Sequence, residues 1–199
     1  MRVLIVGANG TVGRTVVAAL GNRHEIVKAG RSSGDVTVDL TKAKSIRAMY
    51  DKAGKLDAVV ACAGHVHFGP LTAMTEAQFM IGLQDKLMGQ VNLVLEGLKR
   101  LNDGGSFTLT SGILDRDPIL AGSSASAVNA ALAGFVLGAA IEMPRGMRIN
   151  AVSPGLLQDS AVAYDGFFPG HEPVSSERVG LAFVKSIEGA ITGQVIRVG

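Results

Sequence analysis

Short runs of branched apolar residues, each bounded by glycine or polar turns, alternate along this chain with segments whose apolar positions recur at helical spacing. Arg2-Val3-Leu4-Ile5-Val6 is one such run, and it predicts a strand buried on both faces, because only a strand covered on both sides dispenses with polar alternation. Val12, Val16, Val17 and Leu20 then recur on one helical face as far as Gly21, which predicts a helix closed by a glycine C-cap. His24–Ala29, Val36–Leu40, Leu56–Ala61, Ser106–Thr110, Arg148–Val152 and Gln194–Val198 predict further strands. Ser45–Ala53, Thr75–Leu101, Ser123–Met143 and Ser176–Glu188 predict the helices between them, and Asn102-Asp103-Gly104-Gly105 predicts a turn.

Strands that alternate with helices throughout predict an α/β fold, a doubly wound parallel sheet of the Rossmann type with about seven strands and right-handed crossovers. No repeat, low-complexity tract or linker interrupts the alternation, so residues 1–199 are expected to form one domain. In such a sheet ligands gather at the carboxyl ends of the strands. Gly7, Arg31, Cys62, Ser111 and Pro154 all fall at such ends.

The first strand runs directly into Gly7-Ala8-Asn9-Gly10-Thr11-Val12-Gly13 and then into a helix. This is the context a dinucleotide fingerprint requires. The first glycine permits the tight turn, the middle one lets backbone approach a pyrophosphate, and the last lets helix pack on strand. The helix start then offers free N–H groups to the anion. Gly7, Asn9, Gly10, Thr11, Val12 and Gly13 are therefore the leading cofactor-binding candidates.

At the end of the second strand stands Arg31, followed by Ser32, with no acid before Asp35. An arginine there accommodates the 2′-phosphate of NADP, whereas NAD needs a carboxylate, so NADP is the expected cofactor. Asp39, ending the third strand, either meets the adenine edge or begins a turn. Cys62, Ala63 and Gly64 are small enough to let a cofactor lie against the fourth strand, with Cys62 a buried hydrophobe rather than a nucleophile. Pro154 and Gly155 form the matching wall after the sixth strand. His65 and His67 have no acid or cysteine cluster beside them, so no metal is expected; they are loop histidines, one of them a candidate for the substrate pocket.

Composition narrows the setting. With 47% hydrophobic residues in 199, the chain can bury a sizeable core. Its net charge of +2 is scattered, so a pI near 8.8 is no argument for nucleic acid. One cysteine excludes an internal disulfide, and Met1-Arg2 leads into a strand without a signal-peptide pattern; a cytoplasmic location is expected. The Ser123–Met143 segment is apolar nearly all round, yet its serines, Asn129 and Glu142 argue against a membrane span that its length would just permit. Gly134-x-x-x-Gly138 would admit a neighbouring backbone, and a homodimer or homotetramer through helices 75–101 and 123–143 is expected. The loop from Leu156 to Val174 carries Tyr164, Phe167, Phe168 and His171, a candidate substrate lid.

Over nearly its whole length the chain resembles a short-chain dehydrogenase/reductase. Val59-Val60-Ala61-Cys62-Ala63-Gly64 resembles that family's Asn-Asn-Ala-Gly motif, and Thr110-Ser111-Gly112 matches the strand end bearing its catalytic serine. Asn129-Ala130-Ala131-Leu132, followed by Arg148-Ile149-Asn150-Ala151-Val152-Ser153-Pro154-Gly155, matches the stretch that begins at its catalytic lysine. Gly193-Gln194-Val195-Ile196-Arg197-Val198 resembles the usual last strand. The resemblance implies an NADP(H)-dependent oxidoreductase acting on a small carbonyl or alcohol, in oligomeric form.

The departures are as informative as the matches. Gly7-x-x-Gly10-x-x-Gly13 is the family's extended-type spacing on a short body. In the Tyr-x-x-x-Lys motif, Ala125 stands for the tyrosine and Asn129 for the lysine. The family's supporting asparagine sits in an Asn-x-x-Gly context that here reads Lys86-Leu87-Met88-Gly89. Lysine and asparagine have exchanged places, and the tyrosine is missing. The resemblance leaves Ser111 to steady a carbonyl oxygen, and Lys86 to supply positive charge from the opposite wall. Lys86 itself, a loop histidine or Tyr164 would then donate the proton. The competing expectations are an abandoned site, in a protein that binds NADP(H) as a sensor or structural ligand, and an assembly subunit that uses the fold for contacts alone.

Overall fold

The computed structural model describes residues 1–199. The first apolar run forms β1 (Arg2–Val6), and its glycine-rich exit feeds α1 (Thr11–Leu20). There follow β2 (Glu25–Gly30), β3 (Val36–Thr37), α2 (Ala43–Ala53), β4 (Leu56–Ala61), α3 (Glu76–Gly82), α4 (Met88–Gly97) and β5 (Leu101–Thr110). The chain closes with α5 (Ser123–Ala140), β6 (Arg148–Pro154), α6 (Ser176–Glu188) and β7 (Val195–Val198). One parallel sheet of seven strands runs in the order β3-β2-β1-β4-β5-β6-β7. The order reverses between β1 and β4, and this is where a doubly wound sheet opens a cleft.

Both faces of the sheet are covered, as the continuous apolar strands require. Leu4 and Val6 of β1 pack with Tyr50, Leu93, Phe107 and Leu132 beneath α2, α4 and α5. Val3 and Ile5 point the other way, to Val16, Leu20 and Phe183 beneath α1 and α6. Alternate residues of one strand thus anchor two separate cores.

Three departures from the sequence expectation have a clear local cause. The Thr75–Leu101 segment is not one α-helix: a five-residue π turn, Leu83–Leu87, joins α3 to α4, and α4 stops at Gly97. Gly97 lies where a Cβ would come within 2.6 Å of the Tyr50 hydroxyl and 2.7 Å of Phe107, so only glycine lets the helix settle on the sheet. Asn102–Gly105 is not a free turn. β5 already pairs with β4 at Leu56↔Leu101, bulges through these residues, and resumes at Ala58↔Ser106. The third strand is two residues long, because the chain turns at Asp39 instead of extending to Leu40.

The apolar α5 is long and apolar enough to cross a membrane by length and composition alone, yet Val128, Leu132 and Val136 seat one face in the core. Its outer face carries Leu137, 59% exposed, and at Gly134 and Gly138 an added Cβ would meet nothing within 4 Å. No neighbour within the chain uses the close approach those glycines allow.

Candidate functional site

The glycine turn is built as a cradle. Gly7 has φ +83°, and a Cβ there would lie 2.8 Å from the Cys62 carbonyl. At Gly13 a Cβ would stand 2.0 Å from the Gly7 oxygen, so α1 can approach β1 only with glycine at that position. The Gly10 amide donates to Gly7 O at 3.0 Å and fixes the turn. The α1 N-terminus has no side-chain cap, and the first-turn amides of Thr11, Val12 and Gly13 have no acceptor within the helix. A bare helix start beside a turn too tight for side chains fits a pyrophosphate. Asn9 faces outward, its side chain donating to Ser33 Oγ at 2.8 Å, and the neighbouring Ser32 is exposed.

A cavity of about 360 Å³ opens on one side of this turn, lined by Gly7, Gly30, Arg31, Val38, Leu40, Ala63, Gly64, His65 and Asp85 among others. Arg31 is at this end, as its place after β2 predicts, but its guanidinium already has a partner: Nη2 lies 3.3 Å from Asp85 Oδ2. Asp85 Oδ1 also accepts from the His65 amide at 3.1 Å. Asp39 takes no part in this cavity. Its carboxylate accepts from Thr41 Oγ1 at 2.7 Å and from the Thr41 amide at 3.1 Å, and pairs with Lys42 at 3.0 Å. Thr41 first, then Lys42, hold its carboxyl down at about 2. Asp39 therefore begins the turn into α2, and Val38 and Leu40 beside it line that cavity's wall.

On the other side of the turn lies a cavity of about 430 Å³ across the strand ends. Thr11, Val12, Cys62, Ala63, Gly64, Pro154 and Gly155 line it, together with Lys86, Ser111, Ala125 and Asn129. The structure thus gathers there most of the residues that sequence reasoning nominated. Lys86 Nζ donates to Asn129 Oδ1 at 2.7 Å and to the Ser111 main-chain oxygen at 2.9 Å. Burial lowers the Lys86 ammonium to about 8, with Asp115 pulling the other way. Gly64 seats the lysine stem: a Cβ there would come within 2.6 Å of Lys86 Cγ. Gln90, wholly buried on α4, clamps the end of β5 by exchanging hydrogen bonds with Thr110 N at 2.9 Å and Thr110 O at 3.0 Å. That clamp fixes the strand end from which Ser111 leaves.

Ser111 is placed differently from the expectation. It is 2% exposed, and its hydroxyl donates inward to the Asn129 main-chain oxygen at 2.9 Å. Ala125, one turn before Asn129 on α5, faces the same cavity with a methyl group and no proton to give. Burial pushes the Cys62 thiol up to about 12, Thr110 opposing, so the thiolate that nucleophilic chemistry needs is scarce at neutral pH.

The segment between Leu157 and Val174 forms the cavity's outer wall. Those two residues bridge, and Gln158 N donates to Val174 O at 2.9 Å, which closes the base of the loop. Tyr164 and Phe168 line the cavity and meet edge to face at 5.9 Å; Phe168 meets His171 likewise at 5.3 Å. Phe167 turns outward, and His171 Nε2 lies 3.1 Å from Asp117 Oδ2. Neither loop histidine lines this cavity. His65 lines the cavity beside Arg31 and His67 lies against Gly69, while Val66 and Phe68 between and after them do line this one. Sequence reasoning missed Asp85, and also the cluster in which Arg116 meets Asp115 at 2.8 Å and Ser153 Oγ at 2.7 Å. Neither has a sequence signal beyond lying next to a motif residue.

Comparison with known proteins agrees with this architecture. Residues 1–196 match the family model described as Enoyl-(Acyl carrier protein) reductase. The crystal structure of the protein lin1944 from Listeria innocua is similar along the whole of both chains, with 48% identity and a TM-score of 0.99. The crystal structure of a small-chain dehydrogenase in complex with NADPH shares 25% identity and a TM-score of 0.87, covering 100% of this chain and 96% of the other. The short-chain dehydrogenase/reductase GME11373 of Pestalotiopsis microspora is 30% identical over 143 residues, 66% of this chain and 52% of that protein. The chain thus spans about half the length of that curated relative. Sheet order, glycine cradle and a family match along almost every residue lead to one assignment: the chain belongs to the short-chain dehydrogenase/reductase family of oxidoreductases.

Proposed function

We propose that this chain is an NADP(H)-dependent oxidoreductase that reduces a small, largely apolar carbonyl compound or oxidises the matching alcohol, with Lys86 as proton donor. The observation that carries this is the fixed ammonium: two acceptors, Asn129 Oδ1 at 2.7 Å and Ser111 O at 2.9 Å, hold Lys86 Nζ in the cavity wall. An ammonium has three N–H bonds. The third is left for a substrate oxygen.

The glycine cradle and the first-turn amides of α1 would hold the pyrophosphate, and Arg31 the 2′-phosphate. Cys62–Gly64 and Pro154–Gly155 would flank the nicotinamide end. The bound cofactor supplies or accepts the hydride. The protein's own residues do the rest. Lys86 stabilises negative charge growing on the carbonyl oxygen and delivers a proton to it, a role for which an amine near 8 is well matched to neutral pH. Asn129 and the Ser111 carbonyl keep the ammonium aimed, and the inward-turned Ser111 hydroxyl ties β5 to α5. Val66, Phe68, Leu114, Leu156 and Phe168 give the cavity apolar walls, which exclude water and favour an apolar substrate body.

The test is NADPH oxidation against a panel of aldehydes, ketones and quinones, with cofactor affinity measured in parallel. Lys86→Ala is expected to abolish turnover while weakening NADPH binding much less; full turnover in that variant would remove the lysine from its role. Ala125 favours one other function, an NADP(H)-binding sensor without chemistry. Tight NADPH binding with no turnover on any compound of the panel would put the sensor in place of the enzyme.

A further inference from the structure

Asp85 reaches the cofactor end of the fold from the π turn between α3 and α4, not from a strand end. Its Oδ2 lies 3.3 Å from Arg31 Nη2, across 54 residues of sequence, and its Oδ1 accepts from the His65 amide at 3.1 Å. The Asp85 side chain is 15% exposed and that of Arg31 is 71% exposed. The carboxylate is therefore the more buried, doubly hydrogen-bonded partner, and the guanidinium the solvent-exposed one. Both line the cavity that Gly7 and Gly30 also line. Lys86, the next residue, enters the other cavity.

A carboxylate and a guanidinium select opposite adenine riboses. The carboxylate accepts from a free 2′-hydroxyl and repels a 2′-phosphate; the guanidinium attracts the phosphate. This chain brings both to one end. We infer that Asp85 is a cofactor-selecting residue: it competes with the 2′-phosphate for Arg31 and offers the 2′-hydroxyl an acceptor, so that the protein takes NADH as well as NADPH. The inference rests on the proposed NADP(H) function, in which Arg31 is the phosphate partner. An ion pair this open exchanges partners readily, so Asp85 narrows the gap between the two cofactors without reversing it.

Calorimetric titration of NADPH and NADH into the full chain tests it. Asp85→Asn keeps an oxygen for the His65 amide and removes only the charge. It should raise the NADPH-to-NADH affinity ratio by roughly three- to tenfold, mainly through tighter NADPH, and the gain should shrink as salt is added. An unchanged or lower ratio overturns the inference. Arg31→Ala reports separately on the function beneath it: if that variant keeps the wild-type ratio, the assignment of NADP through Arg31 fails. If Arg31→Ala collapses the ratio while Asp85→Asn leaves it alone, only the role of Asp85 fails. Asp85→Ala also frees the His65 amide. Should it weaken both cofactors by one factor while Asp85→Asn leaves the ratio fixed, Asp85 is a loop anchor and the inference is overturned.

Discussion

Lys86 and Asn129, 43 residues apart, meet tip to tip, the ammonium donating to the amide oxygen at 2.7 Å. The positive charge of the pair thus stands on the wall opposite α5, with the amide on α5 as its acceptor. One turn before Asn129, Ala125 presents only a methyl group to the cavity.

If Lys86, lowered to about 8, is the proton donor as proposed, the reaction has a defined pH response. Carbonyl reduction needs Lys86 protonated, so its rate should be level below about pH 8 and fall towards tenfold per unit above it. Alcohol oxidation needs the free amine and should rise over the same range. Asn129→Leu removes an acceptor that favours the charged form, so it should shift the reductive limb to lower pH. Asp115, which opposes burial, acts in the same sense: Asp115→Asn should also move the limb down. Rate profiles of wild type and both variants check the sign.

Restoring the missing phenol should require restoring its cationic neighbour on α5. Ala125→Tyr alone is expected to gain little, because neutral Asn129 cannot lower the new tyrosine's pKa. Ala125→Tyr with Asn129→Lys and Lys86→Asn rebuilds the family arrangement and should raise carbonyl reduction by roughly 10²- to 10⁴-fold over Lys86→Asn alone, which has no general acid. Steady-state kinetics on one ketone compares them. Ala125→Tyr alone as fast as the triple would show that Lys86 already serves the phenol.

The outer face of α5 should bury itself against another copy. Leu137 is 59% exposed and Ile141 89%, with Leu95 of α4 at 55%. Gly134 and Gly138 leave room there for a helix to approach. A dimer or tetramer is expected by light scattering at micromolar concentration, and Gly138→Arg should dissociate it by placing a long charge in a close contact. A monomeric wild type would refute this.

Gly13→Ala tests the cradle. The added methyl would overlap the Gly7 oxygen, at 2.0 Å, so α1 must move off β1. A loss of about 1–3 kcal/mol in urea unfolding is expected, the usual cost of overpacking. NADPH binding should fall further than stability does, because the first-turn amides shift with the helix.

The central strands were legible because their side chains decide their state. β1 and β4 are mostly branched apolar runs, and β6 sets Asn150 and Ser153 among apolar residues before Pro154; nothing in the fold overrides them. The start of β5 was not legible. Asn102-Asp103-Gly104-Gly105 has turn chemistry, and it lies within a strand only because Leu101 pairs with Leu56 before the bulge. In the site, Gly7–Gly13, Lys86, Asn129 and Ser111 can be nominated because motif spacing marks them. The direction of the Ser111 hydroxyl and the partner of Arg31 depend on contacts across 18 and 54 residues, which no local pattern encodes.

The π turn at Leu83–Leu87 has a consequence for how the site is laid out. It is a one-residue slip in helical phase, so the orientation of α3 is set independently of that of α4. The α3 segment has its own start, the Thr75–Gln78 capping box, and α4 is locked to the sheet by Gln90, Leu93 and Gly97. Asp85 and Lys86 both lie within the turn itself. The phase slip sends two sequence neighbours into separate cavities, Asp85 beside Arg31 and Lys86 beside Ser111.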